Sequence, residues 1–162
     1  MIRPTEPGDS PALIEIARGT GVFKPFEIVA LGEVFDDYYA FERQHGHQSI
    51  LIEAEGRPQG FAYYAPAAMT DRAWYLYWIA VESGTQAKGL GSALLHRAED
   101  EIRALQGRLF LIETSSLPHY DLTRRFYLKQ GYEQAARIKD FYADGDDLVV
   151  FSKRLLPPAG DA

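Results

Sequence analysis

Apolar residues recur along this chain with two different periods, and the switches between them outline its elements. Ile2 to Pro4 is a short extended run. Ser10-Pro11 predicts a helix start, with Ser10 as N-cap and Pro11 at the first helical position. Leu13, Ile14 and Ala17 then form a helical stripe that Gly19 to Gly21 ends. Pro25 opens a second helix, in which Phe26, Val29, Ala30, Val34, Tyr38 and Phe41 recur at spacings of three and four before Gly46 closes it. The period then drops to two. Ser49 to Ala54 reads as a strand, Glu55-Gly56-Arg57-Pro58 as a turn, and Gln59 to Ala65 as a second strand. Ala73 to Val81 is a third strand, dense in aromatic and branched residues, and the short links predict an antiparallel meander.

After a glycine-bearing loop from Glu82 to Gly91 the helical period returns. Leu90, Leu94, Ala98, Ile102 and Leu105 make one buried stripe, with Gly107 as the C′ residue. Leu109 to Ile112 is a continuous apolar run, as expected of a strand covered on both faces. Strand, loop, helix and strand from about Tyr75 to Thr114 thus outline a βαβ unit. Pro118 starts a further helix that turns Leu122 and Phe126, with Tyr127, inward and Arg124, Arg125 and Lys129 outward, and Gly131 ends it. Tyr132 to Tyr142 and Leu148 to Arg154 are extended runs around the turn signal Ala143 to Asp147, a closing hairpin. The class is α+β: four helices and a mixed, mostly antiparallel sheet of about seven strands.

A chain of 162 residues with 46% hydrophobic composition accommodates one domain with a real core. The expected organisation is one domain over residues 1–156 and a short tail at 157–162. Seventeen basic and 23 acidic residues give a net charge of −6, which argues against general nucleic-acid binding. Cysteine is absent, so disulfides, thiolate nucleophiles and Cys-based zinc sites are excluded. No apolar run approaches the ~20 residues that span a bilayer, and the N-terminus lacks a signal-peptide core. The expectation is a cytoplasmic protein with no membrane or nucleic-acid partner. Ten Tyr, 9 Phe and 2 Trp are an aromatic surplus that suits a homodimer face. His45 and His47 lack carboxylates at ligand spacing and read as surface residues, so no metal is expected.

The most informative stretch is Gln86-Ala87-Lys88-Gly89-Leu90-Gly91-Ser92, between a strand and a helix. At such a junction free amides and the positive helix end favour an anion, and glycines let a phosphate approach the backbone. It is not a P-loop, because the lysine precedes the glycines and no Lys-Ser/Thr follows. It is not the full dinucleotide pattern either, because Leu94 stands at the third glycine. Anion binding and a plain helix cap both fit it.

Three segments in order carry a resemblance: Trp78-Ile79-Ala80-Val81, Gln86 to Gly91, and Phe126-Tyr127-Leu128-Lys129-Gln130-Gly131-Tyr132. They resemble the fourth strand, the Gln/Arg-x-x-Gly-x-Gly/Ala pyrophosphate loop and the late Tyr-x-x-x-Gly-Phe/Tyr helix end of the GNAT acetyltransferase superfamily. The likeness runs from about Ile2 to Leu155. It implies a sheet whose strands 4 and 5 splay apart around acetyl-CoA. Backbone groups of Ile79, Ala80 and Val81 would pair with the pantetheine arm. Gln86, Ala87, Lys88, Gly89, Leu90, Gly91 and Ser92 would wrap the pyrophosphate. The chain departs from the pattern twice: Ala87 stands where arginine is common, and Tyr120 where an asparagine often contacts pantetheine.

Acetyl transfer to an amine needs a base for the amine, a donor for the carbonyl oxygen and an acid for the leaving thiolate. Without cysteine, direct attack in a ternary complex replaces a cysteinyl acyl-enzyme. Glu113, at the end of the Leu109 to Ile112 run, is the candidate base. Partial burial there would raise its pKa, and Thr114 and Ser115 would assist a water relay. Tyr127, which the resemblance sets near the thioester sulfur, is the candidate acid. The first two helices (Glu33, Asp36, Asp37, Tyr38, Tyr39) and the last hairpin (Asp140, Phe141, Tyr142, Asp144, Asp146, Asp147) offer acidic and aromatic groups suited to a cationic amine. The hairpin also resembles that of the family's protein N-terminal acetyltransferases, so the acceptor is a small amine or a peptide N-terminus. Two alternatives stand beside this enzyme: a non-catalytic CoA-binding regulatory module on the same fold, and an unrelated domain holding a free phosphate.

Overall fold

Glycine, proline and short polar links end the elements close to the predicted positions. The computed structural model describes residues 1–85 and 88–160. Along the chain run β1 (Ile2–Pro4), α1 (Ser10–Gly19), α2 (Pro25–Ala40), β2 (Gln48–Ala54), β3 (Arg57–Pro66), β4 (Ala73–Val81), α3 (Leu90–Ala104), β5 (Leu109–Ser115), α4 (Asp121–Lys129), β6 (Glu133–Ala143) and β7 (Asp146–Arg154). Single 3₁₀ turns cover Pro7–Asp9, Glu42–His45 and Pro118–Tyr120. The first of these makes Asp9 the N-cap of α1 and Ser10 its first helical residue, one position from the expectation. The strands form one sheet in the order β1-β2-β3-β4-β5-β7-β6. The β1/β2, β2/β3, β5/β7 and β6/β7 pairs are antiparallel, whereas β4 and β5 are parallel. This is the seven-stranded mixed sheet with four helices that the pattern predicted.

Packing divides the chain into two compact units, Met1–Ala65 with Tyr77–Ala98, and Pro66–Leu76 with Glu99–Ala162. In the first, α1 and α2 pack Leu13, Ile16, Ala17, Ile28, Leu31 and Phe35 against Leu51, Phe61 and Ala80 on one face of the strands. Gly60 lies on the other face. A Cβ there would stand 3.2 Å from Leu94 Cδ1 and 3.3 Å from Ile52 Cγ2, so α3 presses closely on the strands. The buried stripe of α2 is Ile28, Leu31, Phe35 and Tyr38. The predicted stripe shared only Tyr38 with it, and Phe26, Val29 and Phe41 are exposed.

In the second unit, Phe110, Ile112 and Phe151 are buried on β5 and β7. The run from Leu109 is not covered on both faces. Burial alternates along β5, and Glu113 is exposed. The α4 stripe also differs from expectation. Because the 3₁₀ turn takes up Pro118–Tyr120, α4 starts at Asp121 with a shifted phase: Leu122 is 78% exposed and Tyr127 is the buried residue. Arg124 does not point to water; its guanidinium donates to the carbonyls of Ser115 (2.7 Å) and Leu117 (3.0 Å). Strand β6 is exposed at every position. It turns into β7 through Asp144-Gly145, with Gly145 at φ +81° as a two-residue hairpin requires.

Candidate functional site

The pairing of β4 with β5 covers only Ala73↔Leu109 to Leu76↔Ile112. β4 runs on to Val81 and β5 to Ser115. The pleat of β4 breaks at the same place. Tyr77 edges onto Tyr63 (6.5 Å between ring centres), and the next residue, Trp78, packs on Phe23 (5.2 Å) and on the same α1/α2 core. Successive side chains of a regular strand point to opposite faces, so two in a row on one face mark a bulge-like irregularity. Ile79 and Val81 are half-buried and Ala80 is buried.

From Val81 the chain enters the glycine loop. The amide of Glu82 bonds to the Gln59 carbonyl (2.8 Å), and its carboxylate accepts from Arg57 (2.7 Å), which anchors the loop at its start. Thr85 closes a turn through its hydroxyl and amide, both donating to the Glu82 carbonyl. Gln86 and Ala87 lie outside the described residues. Lys88 and Gly89 are exposed, and Gly89 adopts φ +74°, the left-handed region that glycine enters at no cost. The first intrahelical bond of α3 runs from the Ala93 amide to the Gly89 carbonyl (3.0 Å). The first amides of a helix have no acceptor within it, and the positive end of a long helix lies here. Leu90, Gly91 and Ser92 are half-buried. A cleft of about 470 Å³ beside the loop start is lined by Glu15, Gly19, Arg57, Glu82 and Ser83 among others.

Glu113 is exposed, so the partial burial expected there is absent. Nor is the Ser115 hydroxyl available for a relay. It donates to Asp146, which is buried, and accepts from the Leu117 amide (3.0 Å). Tyr127 is 4% exposed and packs on Phe126, Tyr132 and Phe151. Burial holds its hydroxyl well above the usual phenol range, with the Tyr120 phenol adding to the shift.

The acidic hairpin is built by its own hydrogen bonds. Asp147 accepts from the Asp140 amide (2.9 Å) and from Arg137 (2.7 Å), while Asp140, at φ +57°, accepts from the Gly145 amide (2.8 Å). These bonds hold Asp147 below the usual carboxylate range. Among the described residues no group of three or more His, Asp or Glu is arranged to hold a metal, and no helix is long and apolar enough to cross a membrane.

Sequence reasoning missed one cluster. His47, expected at the surface, is half-buried. Its Nε2 lies 2.9 Å from Glu42, and its Nδ1 lies 2.6 Å from the Tyr63 hydroxyl. Tyr63 in turn edges onto Tyr38 (5.6 Å) and Tyr77. No sequence spacing signals this contact, because Glu42 opens a 3₁₀ turn, His47 follows it and Tyr63 comes from β3.

Comparison with known proteins places this geometry. A model of the GNAT acetyltransferase domain matches residues 45–134. No curated protein sequence matches. Among solved structures, a GNAT-family protein from Desulfovibrio desulfuricans is 32% identical with a TM-score of 0.92, over 96% of this chain and 99% of that one. An aminoglycoside 6′-N-acetyltransferase complexed with coenzyme A shares the fold at 17% identity and TM-score 0.79, covering 98% of each chain. The ribosomal-protein-S18-alanine N-acetyltransferase of Escherichia coli shares it at 18% identity and TM-score 0.75, over 100% of this chain and 97% of that one. The family model and the Desulfovibrio match together show that the chain is an acyltransferase belonging to the GNAT acetyltransferase family.

Proposed function

We propose that the protein transfers the acetyl group of acetyl-CoA to a primary amine, either a small amine or a peptide N-terminus, by direct attack in a ternary complex. The observation that carries this reading is the early end of the β4/β5 ladder at Leu76↔Ile112, followed by a β4 that leads into a glycine loop and the N-terminus of α3. An unpaired strand edge offers its N–H and C=O groups to another chain-like molecule. The pantetheine arm of CoA, with its two amides, is such a molecule, and Ile79, Ala80 and Val81 would supply the partners. Gly89, Leu90, Gly91 and Ser92 would receive the pyrophosphate, with Lys88 adding charge. The coenzyme A bound to the aminoglycoside acetyltransferase of the same fold supports this choice of donor.

In the reaction the amine nitrogen attacks the thioester carbon and its proton passes to a base. The C–S bond breaks and the thiolate takes a proton. Glu113, facing water, suits proton removal through a solvent molecule, and Tyr127 suits protonation of the sulfur. The two other acetyltransferases of this fold act on an aminoglycoside and on a ribosomal protein, which keeps both acceptor types in view. The test is calorimetry with CoA together with thiol release from acetyl-CoA in the presence of kanamycin or an alanine-ended peptide. Glu113→Gln and Tyr127→Phe should slow release about 100-fold while leaving CoA binding intact. A protein that binds CoA with no turnover in any variant would instead be a regulatory module.

A further inference from the structure

We propose that Glu42, His47 and Tyr63 form a proton relay that drains the acceptor amine, with Tyr63 as its inner end. The inference rests on the reading of the chain as an amine acetyltransferase and deepens it on the acceptor side.

The geometry fixes the direction of the hydrogen bonds. The Glu42 carboxylate can only accept, so the 2.9 Å contact requires a proton on Nε2 of His47. A neutral ring with Nε2–H leaves Nδ1 as an acceptor, so the Tyr63 hydroxyl donates to it across 2.6 Å. Carboxylate, imidazole and hydroxyl thus stand in the order that activates a hydroxyl in hydrolytic triads, with a phenol at its end. The Tyr63 oxygen keeps its lone pairs for a further donor.

The surroundings suit the task. Burial lowers the His47 pKa and the nearby His45 lowers it too, while Glu42 opposes them, so the ring is held below the usual histidine range and is unprotonated at neutral pH. The groups facing this array are Glu42 and His45 from the 3₁₀ turn, Asp37 and Tyr38 from α2, and Tyr77 from β4. Arg43 lies 6.0 Å from the Tyr38 ring. Tyr77, which is 54% exposed, edges onto Tyr63 and carries the array to the surface of β4. Tyr77 is the residue at which the β4 pleat breaks, two positions before Ile79. When the amine attacks, its N–H proton passes by way of a bridging water to the oxygen of Tyr63, a residue only 3% exposed, as the phenol proton moves to His47 Nδ1. The imidazolium, stabilised by Glu42, then gives a proton to water. No oxidant or further reactant is needed.

The experiment is a pH profile of kcat/KM for thiol release with kanamycin and with the alanine-ended peptide, for wild type, Tyr63→Phe, His47→Gln and Glu42→Gln. It is accompanied by ¹⁵N NMR of the His47 ring in the free protein. Tyr63→Phe and His47→Gln should lower kcat at least tenfold, with CoA affinity unchanged. Glu42→Gln should shift the acid limb to lower pH, because the carboxylate that raises the His47 pKa is gone. The spectrum should show the proton on Nε2. Variants within twofold of an active wild type would overturn the relay and leave the transferase reading standing, as would a proton on Nδ1. A wild type that binds no CoA and releases no thiol removes the transferase reading, and the relay with it.

Discussion

The Tyr132 hydroxyl donates a 2.6 Å hydrogen bond to Oε2 of Glu99, a carboxylate only 2% exposed. Lys153 completes the set. Its ammonium bonds both Glu99 oxygens (3.1 and 3.2 Å) and the carbonyl of Gln130 at the end of α4 (2.9 Å). Burial and the Glu99 partner push the Tyr132 phenol far above its usual range. Tyr132 also touches Tyr127, so this ion pair braces the residue proposed as catalytic acid.

The two halves of that pair should not be equivalent. Lys153→Met strands a buried carboxylate and should cost about 3 kcal/mol. Glu99→Gln keeps an acceptor for Tyr132, and the lysine side chain, 22% exposed, can turn to water. It should cost about 1.5 kcal/mol. Urea unfolding of both variants checks the order; equal losses would show that the carboxylate reaches solvent once its partner is gone.

Gly60 sets how near β4 can lie to β3. A Cβ there would stand 3.0 Å from the Ala80 carbonyl oxygen, in addition to its contacts with Leu94 and Ile52. The carbonyl is backbone and cannot swing aside, so Gly60→Ala should cost about 2 kcal/mol. If Ala80 lines the pantetheine arm, CoA affinity falls as well. Thermal unfolding and calorimetry on one variant read both effects, and unchanged unfolding would mean that β4 yields freely.

Element order and the glycine loop were legible because turn residues and periodicity are local signals. The α2 face was not, because that helix is apolar nearly all round. Phe26 and Val29 lie on one stripe and Ile28, Leu31 and Phe35 on another, and only the strands beneath choose between them. The exposure of Glu113 was not legible because four apolar residues in a row hid an alternation that β7 and the cover on each face impose. The Glu42–His47–Tyr63 cluster was illegible for a different reason: the β2/β3 ladder pairs Ser49 with Tyr63, and that register brings the tyrosine back to the start of β2, next to His47.

Gly89 and Gly145 form a natural comparison. Both have positive φ (+74° and +81°), and at neither would a Cβ meet an atom within 4 Å. Alanine should therefore cost each position about 1 kcal/mol through the backbone alone. Only Gly89→Ala should reshape the amides proposed to hold pyrophosphate, and weaken CoA binding about tenfold. Calorimetry that finds equal CoA affinity in the two variants would remove Gly89 from the cofactor site.

Arg3 donates to both oxygens of Asp9 (2.9 and 3.0 Å) and to Glu53 (2.8 Å). Its guanidinium holds the Asp9 carboxyl below the usual range, against the opposing effect of burial. A carboxyl with a depressed folded pKa stabilises the fold fully above its unfolded value of about 3.9. That contribution fades as pH falls through the folded value. Arg3→Met should therefore cost about 1 kcal/mol at pH 7, the upper end for a partly exposed pair. The gap from wild type should close in acid. Urea midpoints from pH 7 to 2 check it, and a gap constant across that range would mean that Arg3 acts by packing alone.

Tyr127 makes the sharpest kinetic case. Its ring fills space between Tyr132 and Phe151, and phenylalanine preserves that packing, so Tyr127→Phe removes little beyond the hydroxyl. Because burial raises the phenol's pKa, the group stays protonated into strong alkali and remains a donor throughout the working range. Wild-type kcat should then show no fall near pH 10 that belongs to Tyr127. The variant should lose about 100-fold in kcat at every pH, with CoA binding unchanged. Thiol release followed from pH 6 to 10.5 distinguishes the cases. A variant that keeps the wild-type rate would leave the departing thiolate to take its proton from water and would reduce Tyr127 to a packing residue.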